Sequence, residues 1–140
     1  MIDEKEMMEM KHCHADPEAT RRYYAAQDAY CTCAYCRNYY RVFPVCFPEA
    51  GAVLAGLGLS HDRSLEIMEY GLNDAGDRRR YEAYYPVQGT LERDGLRLYE
   101  KGAVITLWKP ESISCPRPTM KMPYFIAAVQ AELPWVMEEI

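Results

Sequence analysis

The chain has 140 residues, is 49% hydrophobic and 26% charged, and carries a net charge of −5 at pH 7. That length predicts a single domain over residues 1–140, its first 18 residues peripheral. No run approaches the ~20 apolar residues of a membrane span, and the acidic balance argues against a generic nucleic-acid binder, whose phosphate contacts need a basic face.

Residues 1–6 are charged and lack the apolar core of a signal peptide, so the expected compartment is the cytoplasm. Residues 3–12 are mostly helix formers, with Asp3 and Glu6 at capping-box spacing. They predict a short peripheral helix that Asp16-Pro17 ends. Residues 22–30 alternate, with Tyr23, Ala25, Gln27 and Ala29 against Tyr24, Ala26, Asp28 and Tyr30. The alternation predicts a strand, although the alanines also suit a helix. Residues 34–42 predict a helix that starts at the second cysteine of the next stretch and is interrupted by Pro44 and Pro48. A further helix starts at Phe47-Pro48-Glu49-Ala50, with proline in its favoured first turn, and runs to Leu57 with Gly58 as its C-cap glycine. Ser60-His61-Asp62-Arg63-Ser64 is a polar loop in which His61 reads as a solvated residue.

Beyond that loop the period changes. Residues 65–72 predict a strand and Asn73-Asp74-Ala75-Gly76-Asp77 a turn. Arg78-Arg79-Arg80 is the only basic run and reads as part of that solvated turn. Residues 79–91 carry the clearest alternation, Tyr81, Ala83, Tyr85 and Val87 against Glu82, Tyr84 and Gln88. Pro86 within them marks an edge or a bulge. Glu92-Arg93-Asp94-Gly95 is a hairpin turn. Strands follow at 96–99 and 103–108, then a four-proline loop over 109–123 and a last strand at 124–133, for which helix competes. Leu133-Pro134-Trp135-Val136 closes as an apolar hook. Together these predict an α+β fold: an antiparallel sheet of about five strands, with two or three helices packed mainly on one face.

The sequence holds twelve tyrosines against three phenylalanines and two tryptophans. Tyrosine suits half-buried sheet faces and interfaces alike, and a tyrosine-rich sheet face is the expected contact surface.

Chemistry concentrates in one stretch. Three of the six cysteines fall at Cys31-Thr32-Cys33-Ala34-Tyr35-Cys36, and in a reducing compartment they do not form a disulfide framework. Three readings stay open. A zinc ion needs four ligands in a tetrahedron, of which Cys31, Cys33 and Cys36 supply three. The fourth would be His12, Cys13, His14, Cys46 or Cys115, and His14 is the candidate taken here. In a thiol-redox reading, Cys33 at a helix N-terminus is an activated thiolate and Cys36 its partner. In the third, the cysteines pack as small hydrophobes, as Cys13, Cys46 and Cys115 are expected to do. No glycine-rich phosphate loop is present in the sequence.

The stretch Cys31-Thr32-Cys33-Ala34-Tyr35-Cys36-Arg37-Asn38-Tyr39-Tyr40, the helix end Leu57-Gly58-Leu59 and the close Leu133-Pro134-Trp135-Val136 resemble a group of small uncharacterised bacterial proteins. The resemblance covers roughly residues 30–136. It implies one intact α+β domain with an extended last segment, and a shared framework of Cys31, Cys33, Cys36, Arg37, Asn38 and Trp135. It implies no catalytic residue.

The expected function is that of a small cytoplasmic binding or accessory protein, not an enzyme, with structural zinc at Cys31, Cys33, Cys36 and His14. Its expected partner is another protein, with neither nucleic acid nor membrane. One alternative is a thiol-redox enzyme or sensor using Cys33 and Cys36. A second is a self-associating structural subunit, a homo-oligomer joined through an exposed strand edge.

Overall fold

The computed structural model describes residues 10–27 and 30–137. Along them run β1 (Cys13–Ala15), α1 (Pro17–Ala25), α2 (Ala34–Cys46), α3 (Pro48–Gly56), β2 (Glu66–Leu72), β3 (Arg79–Leu91), β4 (Leu96–Glu100), β5 (Ala103–Trp108) and β6 (Tyr124–Leu133). The fold is α+β: an antiparallel sheet with the helices on one face, as the sequence predicts. Among the described residues, no helix is long and apolar enough to cross a membrane. Most of the helix expected at 3–12 lies outside the described residues, and Met10–His12 form a single 3-10 turn.

The sheet is assembled around β3. On one side β6 pairs with it from Arg79↔Leu133 to Gln88↔Tyr124, and β5 and then β4 continue the sheet. On the other side two strands share its edge, β2 at residues 79–84 and β1 at residues 89–91. Pro86 lies in the gap between them. Tyr84 and Gln88 present their backbone carbonyls on this side, to Leu65 N–H and Asp16 N–H, both at 2.8 Å. Pro86, of the same parity, does likewise, so its missing N–H interrupts no ladder.

Helix α1 fills that gap, which corrects the strand expected over 22–30. Asp16 caps the helix by accepting Ala19 N–H at 3.0 Å, and Pro17 occupies the first turn. Thr20 and Tyr24, four apart, form its buried stripe. Thr20 Oγ1 accepts Gln88 N–H at 3.0 Å, and Tyr24 O–H donates to Pro86 C=O at 2.7 Å. Side chains of a helix thus satisfy backbone groups that a neighbouring strand would otherwise serve. The alternation of tyrosine and alanine concealed a helical stripe just as compatible with the sequence.

A second correction concerns α2, which continues through Pro44 to Cys46. Proline has no N–H for the carbonyl four residues back, here that of Tyr40. His61 Nε2–H donates to it instead, at 2.8 Å. His61 is therefore not the solvated loop residue expected: it stacks on Phe43 at 6.0 Å between ring centroids. After α3, whose C-cap is Leu57, Gly58 takes φ +88°, and a Cβ there would stand 2.3 Å from Pro17 O, so the position after the cap admits only glycine.

The core lies between the helices and the inner face of the sheet. Tyr39 and Phe43 of α2 and Leu54 of α3 are fully buried against Tyr85, Leu107 and Val129. Tyr81, Ala83, Tyr85 and Val87 all point inward, as the alternation predicts. The β3 tyrosines of the inner face are interior, so they are not a contact surface.

Candidate metal and thiol site

The cysteine stretch forms the corner where the chain enters α2. Cys33 is the N-cap, its Sγ accepting Cys36 N–H at 3.4 Å. Sulfur takes the place of the usual Ser or Asp oxygen. One turn of helix returns Cys36 beneath Cys33, and the extended approach lays Cys31 beside both. The three Sγ atoms all lie within 4.8 Å of one another. Cys31 and Cys33 are exposed and Cys36 is buried.

Tyr40, one turn after Cys36, fixes the approach segment: its hydroxyl donates to Cys31 C=O at 2.7 Å. The three thiols differ electrostatically. Burial pushes the Cys36 thiol well up, and the neighbouring thiols of Cys31 and Cys33 add to this. Burial also works against a Cys33 thiolate, but hydrogen bonds from Cys36 N–H and the Cys31 thiol outweigh it and hold Cys33 below the ordinary thiol range. Beside the sulfurs lies a cavity of about 420 Å³ between the start of α2 and β2, with Glu66 and Glu69 on its wall.

The corner is tied to the end of the chain. Tyr35, between the second and third cysteines, accepts Tyr81 O–H on its carbonyl at 2.9 Å. Its ring lies 5.5 Å from that of Trp135. The Arg79 guanidinium stands 4.8 Å from the Trp135 ring and 5.6 Å from the Tyr35 ring, and pairs with Glu69 at 3.0 Å. Buried Asn38 donates to Pro134 C=O at 3.0 Å and accepts Val136 N–H at 2.9 Å. The terminal hook is clamped to α2 by one amide.

Of the predicted ligands, the structure brings together Cys31, Cys33 and Cys36. It does not bring His14 to them. His14 stands on β1 opposite Thr90, six residues of β3 beyond Tyr84, where the chain enters β2 beside the corner. That is about 20 Å of strand. There His14 Nε2 bonds Glu92 Oε2, and His12 Nδ1 bonds Glu92 Oε1 at 3.0 Å. The two imidazoles, His14 foremost, hold the Glu92 carboxyl below its usual range. Cys13 and Cys46 pack against the main core and Cys115 against the outer sheet face. Burial raises the Cys13 thiol to about 11, which suits packing and not reactivity.

Three contributors escape a reading of the sequence. Tyr40 is four residues from Cys36, so helix periodicity alone could have placed it on that side. Glu66 and Glu69 reach the cavity only because β2 pairs with β3, and no local spacing signals that. The chain matches no known protein family, no curated protein and no solved structure.

Proposed function

We propose that Cys31, Cys33 and Cys36 bind a zinc ion that holds the entrance to α2 in a small binding or accessory protein without catalytic activity of its own. The observation that carries this reading is the convergence of the three sulfurs within 4.8 Å. Zn–S bonds of ~2.3 Å in a tetrahedron place sulfurs ~3.8 Å apart, so the corner needs to contract by about 1 Å at most. The fourth ligand is water, or Glu69 if its carboxylate exchanges Arg79 for the metal. Each thiol binds zinc as thiolate and releases its proton to solvent, so affinity rises with pH.

Metal analysis of protein purified without chelator tests the proposal. About one equivalent of zinc is expected, lost in Cys36→Ser; less than about a tenth of an equivalent rejects it. The contrast of exposed Cys33 and buried Cys36 favours a second reading, dithiol exchange. It requires metal-free protein in which Cys33 alkylates at lower pH than an ordinary thiol while Cys36 stays protected. With zinc bound, both thiols are protected together.

A further inference from the structure

The corner at the entrance to α2 offers three sulfurs and no fourth ligand of the same kind. Among the described residues, Cys31, Cys33 and Cys36 are the only group of three or more His, Cys, Asp or Glu side chains close enough together to hold one ion. Cys13, Cys46 and Cys115 pack elsewhere. His12 and His14 are bound to Glu92, and His61 gives its Nε2–H to the Tyr40 carbonyl and stacks on Phe43. Of the two carboxylates on the cavity wall, that of Glu69 is paired with Arg79. A tetrahedral ion at this corner has to complete its shell from outside the cysteine set. An ion that takes three sulfurs and nothing else is complete as the corner stands.

Trivalent arsenic is such an ion. It prefers soft thiolate ligands and makes three bonds in a pyramid whose apex is its lone pair. Its bonds to sulfur are about as long as the ~2.3 Å of Zn–S and meet near right angles, so sulfurs now within 4.8 Å of one another need to approach to about 3.4 Å. The surroundings suit a product without charge. Three thiolates cancel the charge of a trivalent ion, whereas they leave a zinc centre with one negative charge. The cavity wall carries Tyr35, Tyr40, Leu65 and Ile67, and its charged lining side chains are Glu66 and Glu69. A net anion there meets carboxylates and an apolar wall, and a neutral centre is penalised by neither.

We infer that Cys31, Cys33 and Cys36 bind trivalent arsenic as a three-coordinate thiolate, an inference that rests on the same convergence of sulfurs as the zinc reading and needs no zinc. The reaction with arsenous acid balances without oxidant or reductant. Three As–O bonds break as three As–S bonds form. Each hydroxide leaves with one thiol proton as water, and arsenic stays trivalent throughout. Access follows the burial of the sulfurs. Exposed Cys31 and Cys33 meet the acid first, and buried Cys36 closes the third bond from beneath Cys33. Where zinc is resident arsenic displaces it, because the same three sulfurs cannot serve both ions.

The test adds sodium arsenite to the intact reduced chain, freed of metal by chelator, and reads intact mass and the thiols left open to alkylation. The expected product carries one arsenic atom in place of three hydrogens, with the protected thiols mapped to Cys31, Cys33 and Cys36. A micromolar or tighter Kd is expected, weakened by about tenfold or more in Cys31→Ser and in Cys33→Ser. In those variants arsenic keeps one hydroxide, which the mass reveals. Both residues are exposed, so the variants keep the fold, which an unchanged circular dichroism spectrum verifies. No arsenic bound at millimolar arsenite overturns the inference. So does protection of Cys13, Cys46 or Cys115 instead, or undiminished affinity in either variant, which reduces the site to an ordinary dithiol. The zinc reading is judged apart: arsenic bound by a chain that takes up no zinc upholds this inference and rejects that reading, and zinc bound by a chain that takes up no arsenic does the reverse.

Discussion

Tyr81 and Tyr85 of β3 face the helices, while Arg80 and Glu82, their neighbours in sequence, face the open outer side of the sheet. On the inner side every tyrosine hydroxyl of β3 has an internal partner: Tyr81 O–H finds the Tyr35 carbonyl, and Tyr85 O–H the His61 carbonyl at 2.7 Å with Tyr39 O–H at the same distance. Those bonds are obligatory, because water cannot replace them there. On the outer side Arg80 and Glu82 line the open end of the face, where water or a ligand can take over from the bonds they make, while Tyr84 farther along is buried. One strand thus carries a stability surface and an exchangeable surface, separated only by the period of two.

The sharpest test of that contrast is Phe43→Ala. Phe43 is fully buried and stacks on Tyr39 at 5.0 Å. Its truncation is expected to cost about 3–5 kcal/mol in denaturant unfolding. Asn38→Ala comes next. It leaves the Pro134 carbonyl and Val136 N–H without their partner, at an expected cost of about 1–3 kcal/mol, and the fluorescence of Trp135 should shift to the red as the hook loosens. Tyr70→Ala and Tyr99→Ala on the outer face should each change stability by no more than about 0.5 kcal/mol. Unfolding costs on the outer face equal to those on the inner one would erase the distinction.

Much of this was legible beforehand. The alternation over β3, the Asp-Gly hairpin before β4 and the proline start of α3 are local signals, and each element stands where they point. Pro44 misleads because the histidine that serves the freed Tyr40 carbonyl lies seventeen residues beyond it, at position 61. Residues 22–30 mislead because alternation and helical spacing both fit Tyr23 and Tyr24, and only the gap beside Pro86 selects the helix. At the site, the three clustered cysteines were legible and a histidine ligand was not. Cys33 and Cys36 are one helical turn apart whatever the rest of the chain does. His14, by contrast, goes where β1 pairs.

By itself, the amino-acid sequence determined most of the strands, the start of α3, the facing of β3 and the meeting of Cys33 with Cys36, since turn geometry, capping and periodicity act within a few residues. Tertiary structure alone decided that Cys36 is buried while Cys33 stays exposed, that Glu66 and Glu69 line the cavity beside them, and that Tyr70 and Tyr99 both line the open end of the outer sheet face. Those outcomes depend on strand register and on which element covers which face. Both are set by burying the core as a whole, because no single residue's preference is large enough to fix them.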